Sequence, residues 1–167
     1  MAAVSKGLYS EAHKPENLKG PGDARPTAYQ IVNYNNLIGK LSDKTFLVTG
    51  GTAGLGLETV KQLAKTGARV FFTARNGPKA EKVIQSIAEE GKTDADLKDA
   101  RVEWVKIDNT SLKSVKAGAE DFLKRSDKLN VLVANAGMVM SEYCNAYVKL
   151  TSARYRQHAL LQDRGWL

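Results

Sequence analysis

Between residues 45 and 137 the chain alternates short apolar segments with longer amphipathic ones, and no other feature constrains its fold as strongly. The apolar segments predict β-strands and the amphipathic ones predict α-helices, at roughly 30 residues per strand–helix unit. Strands that are joined through helices run parallel, in a sheet with helices packed on its faces. The pattern therefore predicts an α/β fold with a Rossmann-like parallel sheet.

Four strands and three helices follow from this pattern. The strands are predicted at 45–49, 68–74, 101–107 and 129–137, and the helices at 53–66, 78–90 and 111–126. Strands one, two and four are nearly all apolar, which is typical of strands covered on both faces. The first of these helices is expected to pack through one side, formed by Leu55, Val60, Leu63 and Ala64. If the winding reverses after strand three, the sheet order is 3-2-1-4 and the helices cover both faces.

The segments on either side lack this regularity. Residues 1–26 hold three of the four prolines and no apolar period, so they predict a mobile arm, and residues 27–41 predict a short helix. We expect an arm with a short helix at 1–40, a Rossmann domain at 41–140 and an irregular tail at 141–167. The sheet is expected to end after its fourth strand.

Composition and charge bound the function classes. The 167 residues are 43% hydrophobic and 26% charged, include one cysteine and contain no apolar run that could span a membrane. We therefore expect a soluble, cytoplasmic protein without an intrachain disulfide. The net charge of +7 is spread thinly along the chain, which argues against nucleic-acid binding. His13 and His158 lack nearby ligand residues, so no metal site is predicted.

A glycine-rich turn follows the first strand, with the sequence Thr49-Gly50-Gly51-Thr52-Ala53-Gly54-Leu55-Gly56. Glycines permit a tight turn and let a phosphate approach the backbone, and the next helix offers free N–H groups to a pyrophosphate. The strand–turn–helix context favours nucleotide binding over a purely structural turn. A phosphate-loop NTPase would need Lys and Ser or Thr after Gly56, but Leu57 and Glu58 follow, so phosphoryl transfer is disfavoured.

The turn matches Thr-Gly-x-x-x-Gly-x-Gly, and through this motif the chain resembles the short-chain dehydrogenase/reductase family. Asp108 after strand three and Asn135-Ala136-Gly137 after strand four match two further family motifs. The resemblance covers about residues 40–140 and is greatest to the retinol-dehydrogenase-like branch. It implies that Asp108 lies against an adenine ring and that the Asn-Ala-Gly motif supports the sheet beside the cofactor. The implied cofactor-binding residues are Gly50, Thr52, Gly54, Leu55, Gly56, Asp108, Asn135, Ala136 and Gly137.

The end of the second strand bears on the choice of cofactor. An acidic residue there would hydrogen-bond the ribose 2′-hydroxyl of NAD, but the segment Thr73-Ala74-Arg75-Asn76 contains none. The guanidinium of Arg75 suits a bidentate contact with a 2′-phosphate. We therefore add Arg75 to the site and expect NADP rather than NAD, with a plain surface arginine as the alternative.

The resemblance implies an oxidoreductase that moves a hydride between NADP(H) and a small-molecule alcohol or carbonyl. Family members use a Ser, a Tyr-x-x-x-Lys pair and a helical Asn, and no tyrosine of this chain has a lysine four residues later. We therefore assign no catalytic residue and expect the catalytic Ser and Tyr to lie beyond Leu167. On this view the chain is the cofactor-binding half of the enzyme and is inactive as given.

Two other classes of function stay open. In the first alternative, the chain is a non-catalytic nucleotide-binding module or a truncated gene product. In the second alternative, it is an interaction protein that uses its basic arm. Cofactor binding separates the first alternative from the second. The sequence does not decide whether the chain forms a homo-oligomer.

Overall fold

The computed structural model of the protein describes residues 9–137, and the predicted tail at 141–167 lies outside them. Four strands are present: β1 (Thr45–Val48), β2 (Arg69–Ala74), β3 (Arg101–Lys106) and β4 (Val131–Val133). The α-helices are α1 (Ala28–Tyr34), α2 (Gly54–Lys65), α3 (Gly77–Glu90) and α4 (Leu112–Arg125). None of these helices is long and apolar enough to cross a membrane.

The strands form one parallel sheet in the order β3-β2-β1-β4, which confirms the predicted α/β fold and strand order. The register aligns Val48 of β1 with Phe72 of β2 and with Val133 of β4. Because the strands run parallel and in step, their carboxyl ends lie along one edge of the sheet. The turns and loops that follow the strands therefore meet at that edge.

Adjacent phenylalanines in β2 anchor the two faces of the sheet. Phe72 shares an apolar cluster with Val60 of α2 and Val83 of α3. Phe71 lies in a second cluster with Phe122 of α4, and the two rings meet edge to face with centroids 4.9 Å apart. Because successive side chains of a strand point to opposite faces, α2 and α3 cover one face and α4 covers the other. Helices on both faces were predicted from the sequence.

One prediction about packing was wrong. Leu55 was expected on the packed side of α2 but is 83% exposed, because α2 faces the sheet with Gly56, Val60 and Ala64, spaced by one turn. Strand β4 is as apolar as a strand covered on both faces, yet it lies at the edge of the described sheet, and its first two residues, Val131 and Leu132, are 44% and 56% exposed. An apolar composition shows that a strand suits burial, but it does not show what covers the strand.

The region before β1 contains more local structure than its sequence suggests. Helix α1 begins at a capping box, in which the Thr27 hydroxyl accepts from the N–H of Gln30 and the Gln30 side chain accepts from the N–H of Thr27. The helix ends at Tyr34, before the predicted end at residue 41, and Asn36 then adopts a left-handed backbone with φ 53°. A 3-10 helix spans Pro15–Asn17. The mobility of the arm stays a prediction.

The polar segment 91–99 also contributes to the core. It contains a 3-10 helix at Ala95–Leu97, in which the Asp94 carboxylate accepts from the N–H of Asp96. Leu97 is 3% exposed and belongs to the same cluster as Phe72. A single apolar residue in a polar segment carries no periodic signal, so the sequence did not indicate this contact.

Glu103 of β3 joins β2 to α4 through two ion pairs. Its Oε1 accepts from Nε of Arg69 at 2.7 Å, and its Oε2 accepts from Nη2 of Arg125 at 2.8 Å. Both guanidinium groups also lie over the ring of Phe71, at 4.7 Å and 5.1 Å from its centroid. Partial burial raises the pKa of Glu103, but the hydrogen bonds from the two arginines outweigh it and hold that pKa below its usual range.

We expect Glu103→Gln to lower the free energy of unfolding by about 0.5–1 kcal/mol near pH 7, the upper range for partly exposed ion pairs. A carboxylate whose pKa is lowered by folding stabilises the fold above its unfolded pKa of about 4.3, and this contribution is lost as the pH falls through the folded-state pKa. Urea titrations near pH 7 and near pH 3 would show a smaller effect at the lower pH. The exposed Glu120→Gln is the control, and an effect of Glu103→Gln that is equal at both pH values would contradict the prediction.

Candidate nucleotide-binding site

The sheet brings the predicted site residues to its carboxyl edge. The glycine turn follows β1, Arg75 follows β2, Asp108 lies two residues after β3, and Asn135 lies two residues after β4. The chain passes from β1 to β2 and β3 on one side of β1, whereas β4 lies on the other side of β1. The direction in which strands are added therefore reverses between β1 and β4. Open parallel sheets bind ligands outside the carboxyl ends of their strands at such a reversal. The fold therefore places a candidate site beside the glycine turn.

Asn135 connects the end of β4 to the glycine turn. Its side-chain amide donates to the carbonyl oxygen of Thr49 at 2.9 Å and to that of Gly50 at 3.3 Å. The backbone N–H of Ala136 donates to the Thr49 hydroxyl at 2.9 Å. These bonds fix the two motifs relative to each other. Thr49 belongs to the glycine motif but is not among the predicted site residues.

Gly56 marks the closest approach of α2 to the turn. A Cβ atom at this position would collide with the carbonyl oxygen of Gly50 and would lie 2.5 Å from Nδ2 of Asn135. Gly51 is confined in the same way, because its Cβ would lie 2.5 Å from Cβ of Phe72. These two glycines are required by packing, whatever the site binds.

Gly54 is a glycine for a different reason. It is the first residue of α2, its φ is +57°, and a Cβ there would meet no other atom within 4 Å. The left-handed backbone, rather than packing, favours glycine at this position. The backbone at Gly54 is consequently open to close approach by a ligand.

Five consecutive backbone amides at this turn, from Thr52 to Gly56, have no hydrogen-bond acceptor among residues 9–137. Helix α2 also differs from the other three described α-helices, because Ala53 at its N-cap supplies no side-chain acceptor. The others are each capped by a side chain, from Thr27, Asn76 and Ser111. Free N–H groups and the positive end of the helix dipole together favour an anion at this position.

Arg75 and Asp108 lie near each other farther along the edge. Arg75 is exposed and forms no ion pair with any residue that the structure describes. One carboxylate oxygen of Asp108 accepts from the N–H of Thr110 at 3.0 Å and from its hydroxyl at 2.8 Å. These two bonds, followed by the positive charge of Arg75, hold the pKa of Asp108 below its usual range. The site therefore presents a guanidinium and an ionised carboxylate to solvent.

The remaining predicted residues differ in their exposure. Thr52 is half-buried, whereas the Leu55 side chain and the residues Ala136 and Gly137 are exposed. Thr73 was missed by the sequence analysis, although its hydroxyl accepts from the backbone N–H of Gly50 at 3.1 Å. A threonine near the end of a strand has no distinctive sequence signal, so only the structure identifies this contact.

A cavity and potential metal ligands elsewhere in the described chain are further candidates for a site. A cavity of about 310 Å³ lies along β3 between α3 and α4, and its walls include Trp104 and the Glu103–Arg125 ion pair. Trp104 donates its indole N–H to Glu81, and the ion pair is satisfied within the fold. Within residues 9–137 no three His, Cys, Asp or Glu side chains come together as a metal site would need.

Comparison with known proteins agrees with the geometry. The sequence model of a family described as "short chain dehydrogenase" matches residues 44–156. The chain is 37% identical over 158 residues to short-chain dehydrogenase/reductase prx1 of Penicillium rubens, covering 93% of this chain and 43% of that protein. It is 36% identical over 104 residues to retinol dehydrogenase 12 of Mus musculus, covering 62% of this chain and 31% of that protein. The chain thus spans less than half the length of these curated relatives.

A solved structure shows the same similarity. It is a short chain oxidoreductase from Pseudomonas aeruginosa PAO1, described as NADPH-bound and as containing an atypical catalytic center. The TM-score is 0.52 and the identity is 31%, over 59% of this chain and 36% of that one.

Substitution of Gly56 and Gly54 by alanine tests whether packing requires glycine at the first position and backbone conformation favours it at the second. We expect Gly56→Ala to lower the free energy of unfolding by about 1–3 kcal/mol, because its Cβ overpacks the turn. Gly54→Ala adds no collision and should lose about 1 kcal/mol, because alanine disfavours the left-handed backbone. Urea denaturation of the two variants measures which substitution lowers the free energy of unfolding more. A larger loss in Gly54→Ala than in Gly56→Ala would contradict the packing argument.

Proposed function

Because the chain belongs to the short-chain dehydrogenase family, we propose that residues 41–140 bind NADP(H) at the carboxyl edge of the sheet. The whole protein is then an oxidoreductase that acts on an alcohol and carbonyl pair. The observation that carries this proposal is the row of five amides from Thr52 to Gly56, which lack an acceptor within residues 9–137 and lie at the uncapped start of α2. The family supplies the class of cofactor, and the row of amides supplies a place for its phosphates.

The amides suit a pyrophosphate in both charge and access. The backbone at Gly54 is open, because no described atom outside its chain neighbours and the backbone of its own helix lies within 4 Å of where its Cβ would be, so a phosphate oxygen can approach the turn at this residue. Gly56 keeps α2 close to the turn, so the positive end of the helix dipole points at the same place. Asn135 holds the turn from the side of β4, which lets the amides keep their direction when no ligand is bound.

The preference for the phosphorylated cofactor rests on Arg75. Its guanidinium is exposed, follows β2 directly and has no ion-pair partner within the described residues. An acidic side chain, which would hydrogen-bond the ribose hydroxyls of NAD, is missing from this strand end. The 2′-phosphate of NADP would accept a charge-assisted bidentate contact from Arg75. The NADPH bound in the Pseudomonas relative is in line with this choice.

The other strand ends complete the proposed site. Asp108 keeps one carboxylate oxygen free of Thr110, and this oxygen would accept from the amino group of an adenine. Ala136 is exposed and lies beside the turn, where its N–H donates to the Thr49 hydroxyl. When bound, the cofactor supplies or takes the hydride. The residues of this chain bind its phosphates, orient its adenosine half and set the choice between NADP and NAD.

We expect NADPH to bind about tenfold to a hundredfold more tightly than NADH. A charge-assisted hydrogen bond contributes about 1.5–3 kcal/mol, which corresponds to this range of dissociation constants. Calorimetric titration of the 167-residue chain with each cofactor measures the ratio, and Arg75→Ala should bring it close to one.

The control for this measurement is Lys82→Ala, which removes an exposed positive charge from the middle of α3. It should keep the preference for NADPH, because a general loss of positive charge has only a weak, screened effect. Equal affinity for the two cofactors in the wild-type chain would contradict the assignment of Arg75. Failure to bind either cofactor would contradict the proposed function itself.

A second candidate, a nucleotide-binding module without catalysis, is favoured by one observation. None of the six tyrosines in these 167 residues is followed by a lysine four positions later, so the pair that the family uses for proton transfer is missing. We expect the 167-residue chain to bind NADPH without oxidising it in the presence of ketones or aldehydes. Absorbance of NADPH over time tests this, and turnover well above the blank would require another proton donor.

A further inference from the structure

Thr73 lies at the carboxyl end of β2, between the glycine turn and β3. Its side chain is only 3% exposed, and in the sheet it pairs with Val105. It shares its face of the sheet with Phe71, two residues earlier, so it belongs to the side that α4 covers. No motif of the sequence analysis includes it.

Thr73 satisfies the first two amides of the turn. Its hydroxyl oxygen accepts from the N–H of Gly50 at 3.1 Å, and its carbonyl oxygen accepts from the N–H of Gly51 at 3.4 Å. The next five amides, Thr52 to Gly56, have no acceptor among residues 9–137. The boundary between satisfied and free amides therefore falls directly after the two that Thr73 binds.

Gly50 is the residue at which the chain changes direction. Its φ is +71°, and on its other side a Cβ would lie 3.1 Å from Cα of Ala136. Asn135 holds the carbonyl oxygen of Gly50, and Thr73 holds its N–H. The peptide groups on either side of Gly50 are thus fixed from β4 and from β2 together, which sets the direction in which the turn leaves β1.

We propose that Thr73 is a positioning residue for the cofactor: its hydroxyl holds the Gly50 amide so that the amides from Thr52 to Gly56 face the pyrophosphate. The inference rests on the proposed function. It assigns to a side chain outside the glycine motif the task of keeping the row of free amides in place. A valine of nearly the same shape would fill the space but would leave the N–H of Gly50 without an acceptor.

We expect Thr73→Val to raise the dissociation constant for NADPH about tenfold, measured by fluorescence titration well below the melting temperature. Thr73→Ser keeps the hydroxyl and should bind within about twofold of the wild type. Thr45→Val is the matched control, because Thr45 is 2% exposed in the neighbouring strand β1 but lies at its opposite end. It should also bind within about twofold of the wild type.

The outcomes separate the inference from the proposed function. If the wild type binds NADPH and folded Thr73→Val binds equally well, Thr73 stabilises the fold only and the inference is overturned. If Thr73→Ser binds as poorly as Thr73→Val, the hydroxyl is not the group responsible, and the inference is likewise overturned. If the wild type does not bind NADPH, the proposed function fails first.

Amide hydrogen exchange of the wild-type chain decides the question even if Thr73→Val does not fold. The N–H of Gly50 should exchange slowly without cofactor, because Thr73 already holds it. The amides of Gly54 and Leu55 should exchange fast and become protected only when NADPH is added. A Gly50 amide that exchanges as fast as that of Gly54 in the free protein would overturn the inference.

Discussion

The side-chain amide of Asn135 donates to the carbonyl oxygens of Thr49 and Gly50, residues about 85 positions earlier in the chain. This contact closes the sheet at its carboxyl edge, because β4 is short and meets the rest of the described fold mainly through β1. Gly56 must be a glycine so that α2 can pass beside the same amide nitrogen. The position of the first helix, the direction of the turn and the place of β4 thus depend on one crowded contact.

The same edge contains glycines that are required for two different physical reasons. Gly51 and Gly56 are glycines because neighbouring atoms leave no room for a Cβ. Gly54 has open space around it and a left-handed backbone. Open, left-handed glycines also occur at Gly20, Gly22 and Gly39, so this property alone does not indicate binding. At Gly54 it coincides with an uncapped helix start and with amides that have no acceptor among residues 9–137, and this combination favours an anion.

The sheet order was predicted correctly from the sequence, and the predicted site residues do lie at one edge of the sheet, because parallel strands put the residues that follow them at the same edge. One residue, Leu55, was wrongly predicted on the packed side of α2, whereas Val60 and Ala64 are buried there. The helix faces the sheet through Gly56, Val60 and Ala64, and a search for large apolar residues selected Leu55 instead of the glycine. The contact of Thr73 with Gly50 was also missed, because a hydrogen bond between residues 23 positions apart leaves no local pattern. The features that were not predicted are tertiary contacts, because these depend on residues from other segments of the chain.

The uncapped start of α2 also affects how the free protein balances stability against affinity. A Ser, Thr, Asp or Asn at a helix N-cap contributes about 1 kcal/mol relative to alanine, so Ala53 leaves the ligand-free fold weaker than it could be. An aspartate at this position would strengthen α2, but it would occupy the amides and repel a phosphate. Selection for thermal stability alone would therefore drive position 53 toward residues that close the site. With alanine at position 53, this part of the stability would be gained only on binding of the anion that we propose for these amides.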